Sequence, residues 1–96
     1  MYELRFTPGA ERYIKKLREK PLKAAYKAAF LRISENPYIG TPKRGDLSGV
    51  YGYDLHYRGT NYEIAYKVKE NNGRIVVILL AGTRENFYEQ LKRYIN

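Results

Sequence analysis

The chain has 96 residues, no cysteine and no apolar run near the ~18 residues of a membrane span, which excludes a disulfide framework and a transmembrane helix. Its 18 basic residues against 10 acidic ones give a net charge of +8, which favours a polyanionic partner such as nucleic acid over a merely solvated basic surface. The length indicates one domain, residues 1–96. The N-terminal MYELRF lacks the apolar segment of a secretory signal, so we expect a cytoplasmic protein.

The first third of the sequence predicts a strand followed by a helical hairpin. Residues 2–6 alternate as in a strand, and Thr7 is a candidate N-cap for a helix with Pro8 in its first turn. A second helix follows Pro21 and ends before Asn36, because the residue preceding a proline disfavours the helical region. The apolar stripes are Ala10, Tyr13, Ile14 and Leu17 in the first helix, and Leu22, Ala25, Tyr26, Ala29, Phe30 and Ile33 in the second. Charged residues lie off both stripes, where we expect solvent.

Residues 51–68, YGYDLHYRGTNYEIAYKV, predict a β-hairpin. Apolar and polar residues alternate on both sides of Gly59 and Thr60, which suit a two-residue type II′ turn with glycine first. That register pairs Tyr57 with Tyr62, Leu55 with Ile64 and Tyr53 with Tyr66 on one apolar face. The preceding segment, residues 38–49, has neither a helical nor a strand period and predicts a loop.

The other face of this hairpin is polar and includes the only histidine. The predicted register places His56 directly across from Glu63. The face also includes Asp54, Arg58, Ala65 and Lys67. Such a strip either faces solvent in a groove or forms a buried charge network, and we expect the groove because burying charges is costly.

The remaining segments complete an α+β domain. The continuous apolar run of residues 75–81 predicts a central strand covered on both faces. Thr83 is a candidate N-cap for a final helix that runs to about Ile95. The expected fold is an N-terminal strand, a helical hairpin, a three-stranded antiparallel meander that completes a four-stranded sheet, and a C-terminal helix.

Two segments in this order, GDLSGVYGYDLHYRGTNYEIAY and AGTRENFY, resemble the RelE/ParE superfamily of bacterial toxin-antitoxin toxins. The resemblance spans nearly the whole chain and implies the same strand, helical hairpin and three-strand build. It implies one of two activities. RelE-type members cut mRNA in the ribosomal A site, whereas ParE-type members inhibit DNA gyrase.

The resemblance also assigns roles to individual residues. Arg84 matches the arginine that stabilises the scissile phosphate, and Tyr88 matches the C-terminal tyrosine of the site. Two lysines and an arginine of ribosome-dependent members correspond here to Asp54, His56 and Glu63. Three cations are therefore missing, so either the chemistry is rebuilt around His56 or this chain does not cut RNA.

A rebuilt site is chemically possible. Cleavage by the 2′-oxygen needs a base, an acid and positive charge for the phosphorane. Histidine side chains exchange protons near neutral pH, and a carboxylate at Glu63 would orient the His56 ring. Arg84 would hold the phosphate, and Tyr88 would donate a hydrogen bond or stack on a base. The candidate phosphate contacts are Lys43, Arg44, Arg58 and Lys67. Neither a metal nor another cofactor is required by this chemistry.

The favoured hypothesis is a ribosome-dependent mRNA endonuclease toxin that is neutralised by a cognate antitoxin. The alternative is a ParE-like inhibitor that docks on gyrase without catalysis, and a third is an inactive regulatory relic. The resemblance implies that the antitoxin covers apolar surface on the two N-terminal helices or displaces the C-terminal helix. It also implies that any promoter binding occurs only through the antitoxin complex.

Overall fold

The computed structural model describes residues 1–95, and Asn96, the end of the predicted domain, lies outside them. The elements in chain order are β1 (Glu3–Phe6), α1 (Pro8–Lys16), α2 (Lys20–Glu35), β2 (Thr41–Pro42), β3 (Tyr51–Tyr57), β4 (Thr60–Lys69), β5 (Ile75–Thr83) and α3 (Phe87–Ile95). Two short 3₁₀ turns, Pro37–Ile39 and Gly45–Leu47, lie on either side of β2. None of the helices in this part of the chain combines the length and apolar character needed to cross a membrane.

The strands form one sheet in the order β1-β5-β4-β3-β2. β1 pairs parallel with β5, and the other neighbours are antiparallel. The α+β class and the internal position of β5 are confirmed. The predicted count of four strands is wrong by one, because Thr41 and Pro42 leave the loop and pair with Gly52 and Tyr51 at the edge of the sheet. Two residues are too few to produce a strand period in the sequence.

Helices cover both faces of the sheet. The hydroxyl Oγ1 of Thr7 accepts a hydrogen bond from the Ala10 amide at 3.2 Å, which confirms the predicted N-cap of α1. The stripes of α1 and α2 pack on one face around buried Tyr26, Ile33 and Tyr66. On the other face, α3 and the loop before β3 bury a smaller cluster of Leu47, Val50, Ala65, Leu79, Phe87 and Leu91.

The β3–β4 turn differs from the predicted one. Arg58 and Gly59 are the two central residues, both with positive φ (47° and 78°), as a type I′ turn requires. The predicted II′ turn at Gly59 and Thr60 is therefore wrong, and every cross-strand partner shifts by two residues along β4. A shift of two preserves the faces, because side chains alternate with a period of two. The apolar and polar faces are as predicted, but the pairs are now Tyr53–Ile64, Leu55–Tyr62 and Tyr57–Thr60.

The start of the last helix also differs. Thr83 is the final residue of β5 rather than an N-cap, and α3 begins at Phe87. The backbone amide of Arg84 donates to the carbonyl of Asn61 at 2.9 Å, which continues the contact between β5 and β4 past the strand end. Arg84 therefore stands in the turn before α3, where its side chain is free to face the polar side of the hairpin.

Candidate active site

Three residue pairs follow one another along the polar face of the β3–β4 hairpin. They are His56 with Asn61, Asp54 with Glu63, and Gly52 with Ala65. The first pair lies next to the turn, and the last lies under α3, where Ala65 is completely buried. The face thus changes from open to covered along its length, and Asp54 and Glu63 lie at the boundary.

Glu63 is the centre of the candidate site. It is 1 % exposed, and its Oε2 accepts a hydrogen bond of 2.8 Å from the hydroxyl of Tyr88 on α3. Its Oε1 lies 3.7 Å from Nε of Arg84, whose side chain is 58 % exposed. The expectation of an open groove is therefore wrong at this position, because the first turn of α3 and the preceding turn close over the carboxyl group. Asp54 and His56 remain exposed, as expected.

The protonation of Glu63 is shifted by its surroundings. Burial, as the largest cause, and the neighbouring Asp54 carboxyl together raise its pKa to about 7. The hydrogen bond from Tyr88 and the charge of Lys43 oppose this rise. Burial also raises the pKa of the Tyr88 hydroxyl, as does the Glu63 carboxyl, so the hydroxyl remains a hydrogen-bond donor. Glu63 can therefore bind or release a proton near neutral pH.

A glycine in β3 makes room for this cluster. A Cβ at Gly52 would collide with the Tyr88 hydroxyl and would lie 2.7 Å from Cε of Lys43 and 3.1 Å from Oε2 of Glu63. Nζ of Lys43 lies 4.6 Å from the centre of the Tyr88 ring, a cation–π contact. Gly52 was not singled out by the sequence analysis, although a glycine inside a strand is a signal of close approach by another group.

His56 has a different partner from the predicted one. Its Nδ1 lies 2.8 Å from Oδ1 of Asn61, and the predicted pairing with Glu63 is wrong because of the two-residue shift in register. A ring whose Nδ1–H donates to an amide oxygen keeps its Nε2 lone pair for another proton. Asn61 also accepts the backbone hydrogen bond from Arg84, so His56 and Arg84 are both anchored on the same residue.

The structure brings Glu63, Arg84, Tyr88 and Lys43 together, with His56 adjoining them through Asn61. The other predicted phosphate contacts stand apart from this cluster. Arg58 is at the turn, where its guanidinium lies 5.4 Å from the centre of the Tyr57 ring. Lys67 is exposed four residues beyond Glu63 on β4, and Arg44 is exposed immediately before the second 3₁₀ turn. Within residues 1–95, no three histidine, aspartate or glutamate side chains are grouped so that they could hold a metal ion.

The sequence model of one protein family, the ParE-like toxins of type II bacterial toxin-antitoxin systems, matches residues 4–92 of the chain. The chain belongs to this family, within the RelE/ParE superfamily. The membership confirms the resemblance found in the sequence, and the chain is therefore a toxin of a type II toxin-antitoxin system.

Individual relatives agree with this assignment. The chain is similar to the toxin RelG of Mycobacterium tuberculosis, with 33 % identity over 90 residues, which cover 93 % of this chain and 98 % of RelG. It is also similar to a chain in the crystal structure of the toxin-antitoxin complex RelBE2 from the same organism, with 34 % identity and a TM-score of 0.65. The match covers 86 % of this chain and 98 % of that chain. The isolated Escherichia coli RelE toxin shares the fold at 24 % identity, with a TM-score of 0.70. The match covers 97 % of this chain and 98 % of RelE.

Proposed function

We propose that this RelE/ParE-superfamily toxin is a metal-independent endoribonuclease that cleaves mRNA on the ribosome. One observation carries the proposal. A proton-exchanging carboxyl group, Glu63, meets the Arg84 guanidinium and the Tyr88 hydroxyl at the end of a polar strip that also presents His56. Proton carriers beside phosphate-binding cations are what cleavage by a 2′-oxygen requires.

The reaction divides into steps that these side chains can assist. The 2′-oxygen forms a bond to phosphorus while its proton passes to Nε2 of His56, which is not engaged by Asn61. Arg84 stabilises the additional negative charge on the non-bridging oxygens, and Lys43 adds a second cation beside Tyr88. The bond to the 5′-oxygen then breaks, and the leaving oxygen receives a proton that originates from Glu63. The products carry a 2′,3′-cyclic phosphate and a 5′-hydroxyl.

The three missing family cations have partial substitutes in this arrangement. Asp54, His56 and Glu63 occupy strand positions where ribosome-dependent relatives have basic residues. Lys43, from the loop before β3, supplies one positive charge to the same cluster. The cluster thus keeps two cations, Arg84 and Lys43, and gains two groups that can move protons.

A cognate antitoxin is the proposed protein partner, as the toxin-antitoxin complex of the similar M. tuberculosis protein suggests. The apolar groove between β1 and α2 is suited to part of this contact. It is lined by Tyr2, Leu4 and Phe30, and its rim has Leu31 at 50 % and Phe6 at 38 % exposure. This agrees with the predicted contact on the N-terminal helices. A complex in which the antitoxin touches neither these helices nor α3 would contradict the prediction.

The alternative is a toxin that docks on DNA gyrase without catalysis. It is favoured by the ParE-like description of the matching family and by the acidic residues at Asp54 and Glu63. In that case the cluster of Glu63 and Tyr88 would serve only to attach α3 to the sheet.

Primer extension on mRNA from a purified translation reaction tests the proposal. We expect cleavage near the A-site codon with the unaltered toxin, and a loss of roughly 10²–10³-fold in the rate with Arg84→Ala, because a donor to the developing charge is removed. Arg18→Ala is the matched control, since Arg18 is an exposed arginine between α1 and α2. Intact mRNA together with inhibition of purified gyrase that survives Arg84→Ala would instead establish the docking function.

A further inference from the structure

We propose that Asp54 and Glu63 act as one acid–base group that shares a proton across the β3–β4 hairpin, and that Asp54 is thereby a positioning residue of the site. The catalytic role of the pair rests on the proposed endoribonuclease function, whereas the pair itself does not. Asp54 was not among the predicted catalytic residues, and the predicted register placed it on the same face as Glu63 but directly across from Ala65.

The register brings the two carboxyl groups together. Asp54 and Glu63 are directly opposite each other on neighbouring antiparallel strands, with side chains on the same face. Cβ atoms of such pairs are about 4.5–5.5 Å apart, so the carboxyl groups come within hydrogen-bond reach. Two carboxylates at this distance repel each other, and a proton held between them removes the repulsion.

The other side chains around Glu63 stabilise its negative charge only weakly, so the shared proton is the main means by which this buried charge is neutralised. Glu63 is 1 % exposed, and its nearest cation, Arg84, approaches with one nitrogen at 3.7 Å rather than in a close two-point contact. Lys43, the other cation that faces the group, is placed over the Tyr88 ring. Tyr88 donates one hydrogen bond to Oε2. These groups, with Asp54, are the charged or titratable side chains that face Glu63 from β3, α3, the turn before α3 and the loop before β3.

The two members of the pair have different positions relative to solvent. Asp54 is exposed, whereas Glu63 is enclosed by the first turn of α3. Protons can therefore enter and leave Glu63 through Asp54 without movement of the helix. Asp54 also keeps Glu63 protonated at a higher pH than an isolated carboxyl group would allow, which preserves the acid form that the leaving 5′-oxygen needs.

The test is a pH titration of the side-chain carboxyl carbons of the full chain by carbon-13 NMR. We expect Glu63 to titrate with a midpoint of about 7. In Asp54→Asn, the midpoint of Glu63 should fall by roughly 1–2 pH units, because the like charge is gone. Asp46→Asn is the control, since Asp46 is an exposed aspartate in the 3₁₀ turn after β2. An ordinary glutamate midpoint in the unaltered protein, or an unchanged midpoint in Asp54→Asn, would overturn the pair.

A second readout concerns the reaction itself. The pH profile of mRNA cleavage by Asp54→Asn should lose activity at lower pH than that of the unaltered toxin, because Glu63 gives up its proton earlier. A merely structural Asp54 would lower the rate equally at every pH. The NMR titration needs no cleavage, so an absent nuclease activity and an absent carboxyl pair give separate results.

Discussion

At the scale of single residues, Glu63 brings stability and function into conflict. A buried carboxyl group with one weakly placed cation is costly to ionise, and its protonated form is the cheaper one inside the protein. The same cost keeps a proton available near neutral pH, where a nuclease can use it. A glutamine at this position would keep the size of the side chain and remove the proton exchange.

We expect the free energy of unfolding to fall as pH rises from about 5 to about 8. The pKa of Glu63 is about 7 in the folded chain against 4.5 for an ordinary glutamate, so the folded state binds more protons in this interval. It loses this advantage as pH rises through the folded pKa. The loss is at most roughly 3 kcal/mol. Urea unfolding at both pH values measures it. The fall in the free energy of unfolding should be smaller in Glu63→Gln. It should persist in the control Glu85→Gln, because Glu85 is an exposed glutamate in the adjoining turn. A pH slope unchanged by Glu63→Gln would contradict this assignment.

At the scale of elements, the loop between α2 and β3 is fixed by one buried side chain. The hydroxyl of Tyr66 donates to the carbonyl of Pro37 at 2.7 Å and accepts from the amide of Gly40 at 3.0 Å. Farther along, the amide of Lys43 donates to the carbonyl of Val50 at 2.8 Å. The loop therefore has a defined path from the end of α2 to the candidate site, and Lys43 has a defined position over Tyr88.

The change Tyr66→Phe should destabilise the fold by about 1–3 kcal/mol, because a buried amide and a carbonyl lose their partner while the ring stays in place. Thermal or urea unfolding measures the change. Tyr51→Phe is the matched control, since Tyr51 stacks on the same ring at 5.6 Å and its hydroxyl is not part of these two hydrogen bonds. An equal loss in both variants would contradict the prediction, because only Tyr66→Phe removes the two hydrogen bonds to the loop.

The same scale shows which parts of the structure could be predicted from the sequence. The helices could, because the Thr7 cap and the Asn36-Pro37 stop act locally. The faces of the hairpin could as well, because alternation survives a shift of two residues. The partner of His56 could not be predicted, since RGT allows a turn at Arg58 or at Gly59 and the twist of the strands suits type I′ and type II′ turns alike. The short β2 and the late start of α3 likewise depend on contacts made after folding.

At the scale of the whole molecule, the net charge of +8 attracts polyanions over long distances, whereas the cluster around Glu63 contains both acidic and basic side chains. Basic residues on α1 and in the connection to α2, such as Lys15, Lys16 and Arg18, are exposed and lie outside the candidate site. Under the proposed function, attraction to RNA and chemistry on RNA therefore belong to different surfaces, and salt should affect them differently.

Binding of a labelled single-stranded RNA should weaken as salt rises, with a log–log slope of about −0.7 for each phosphate contacted. Lys43→Ala should make the slope less steep by one such contact, because Lys43 stands beside Arg84 and Tyr88 in the site. Lys67→Ala, which removes an exposed lysine outside the cluster, is the control. An equal change of slope in both variants would mean that RNA responds only to the net charge of the protein and not to the position of Lys43.

The parallel pairing of β1 with β5 also sets the order of events during synthesis. Residues 3–6 emerge from the ribosome long before their partners at 75–78, so the N-terminal strand and both helices must wait without a sheet to pack on. Arg84 and Tyr88 emerge later still, and the cluster cannot form before they do. Under the proposed function, the ribosome that makes this toxin belongs to the class of its targets, yet it meets no assembled site until it has translated past residue 88.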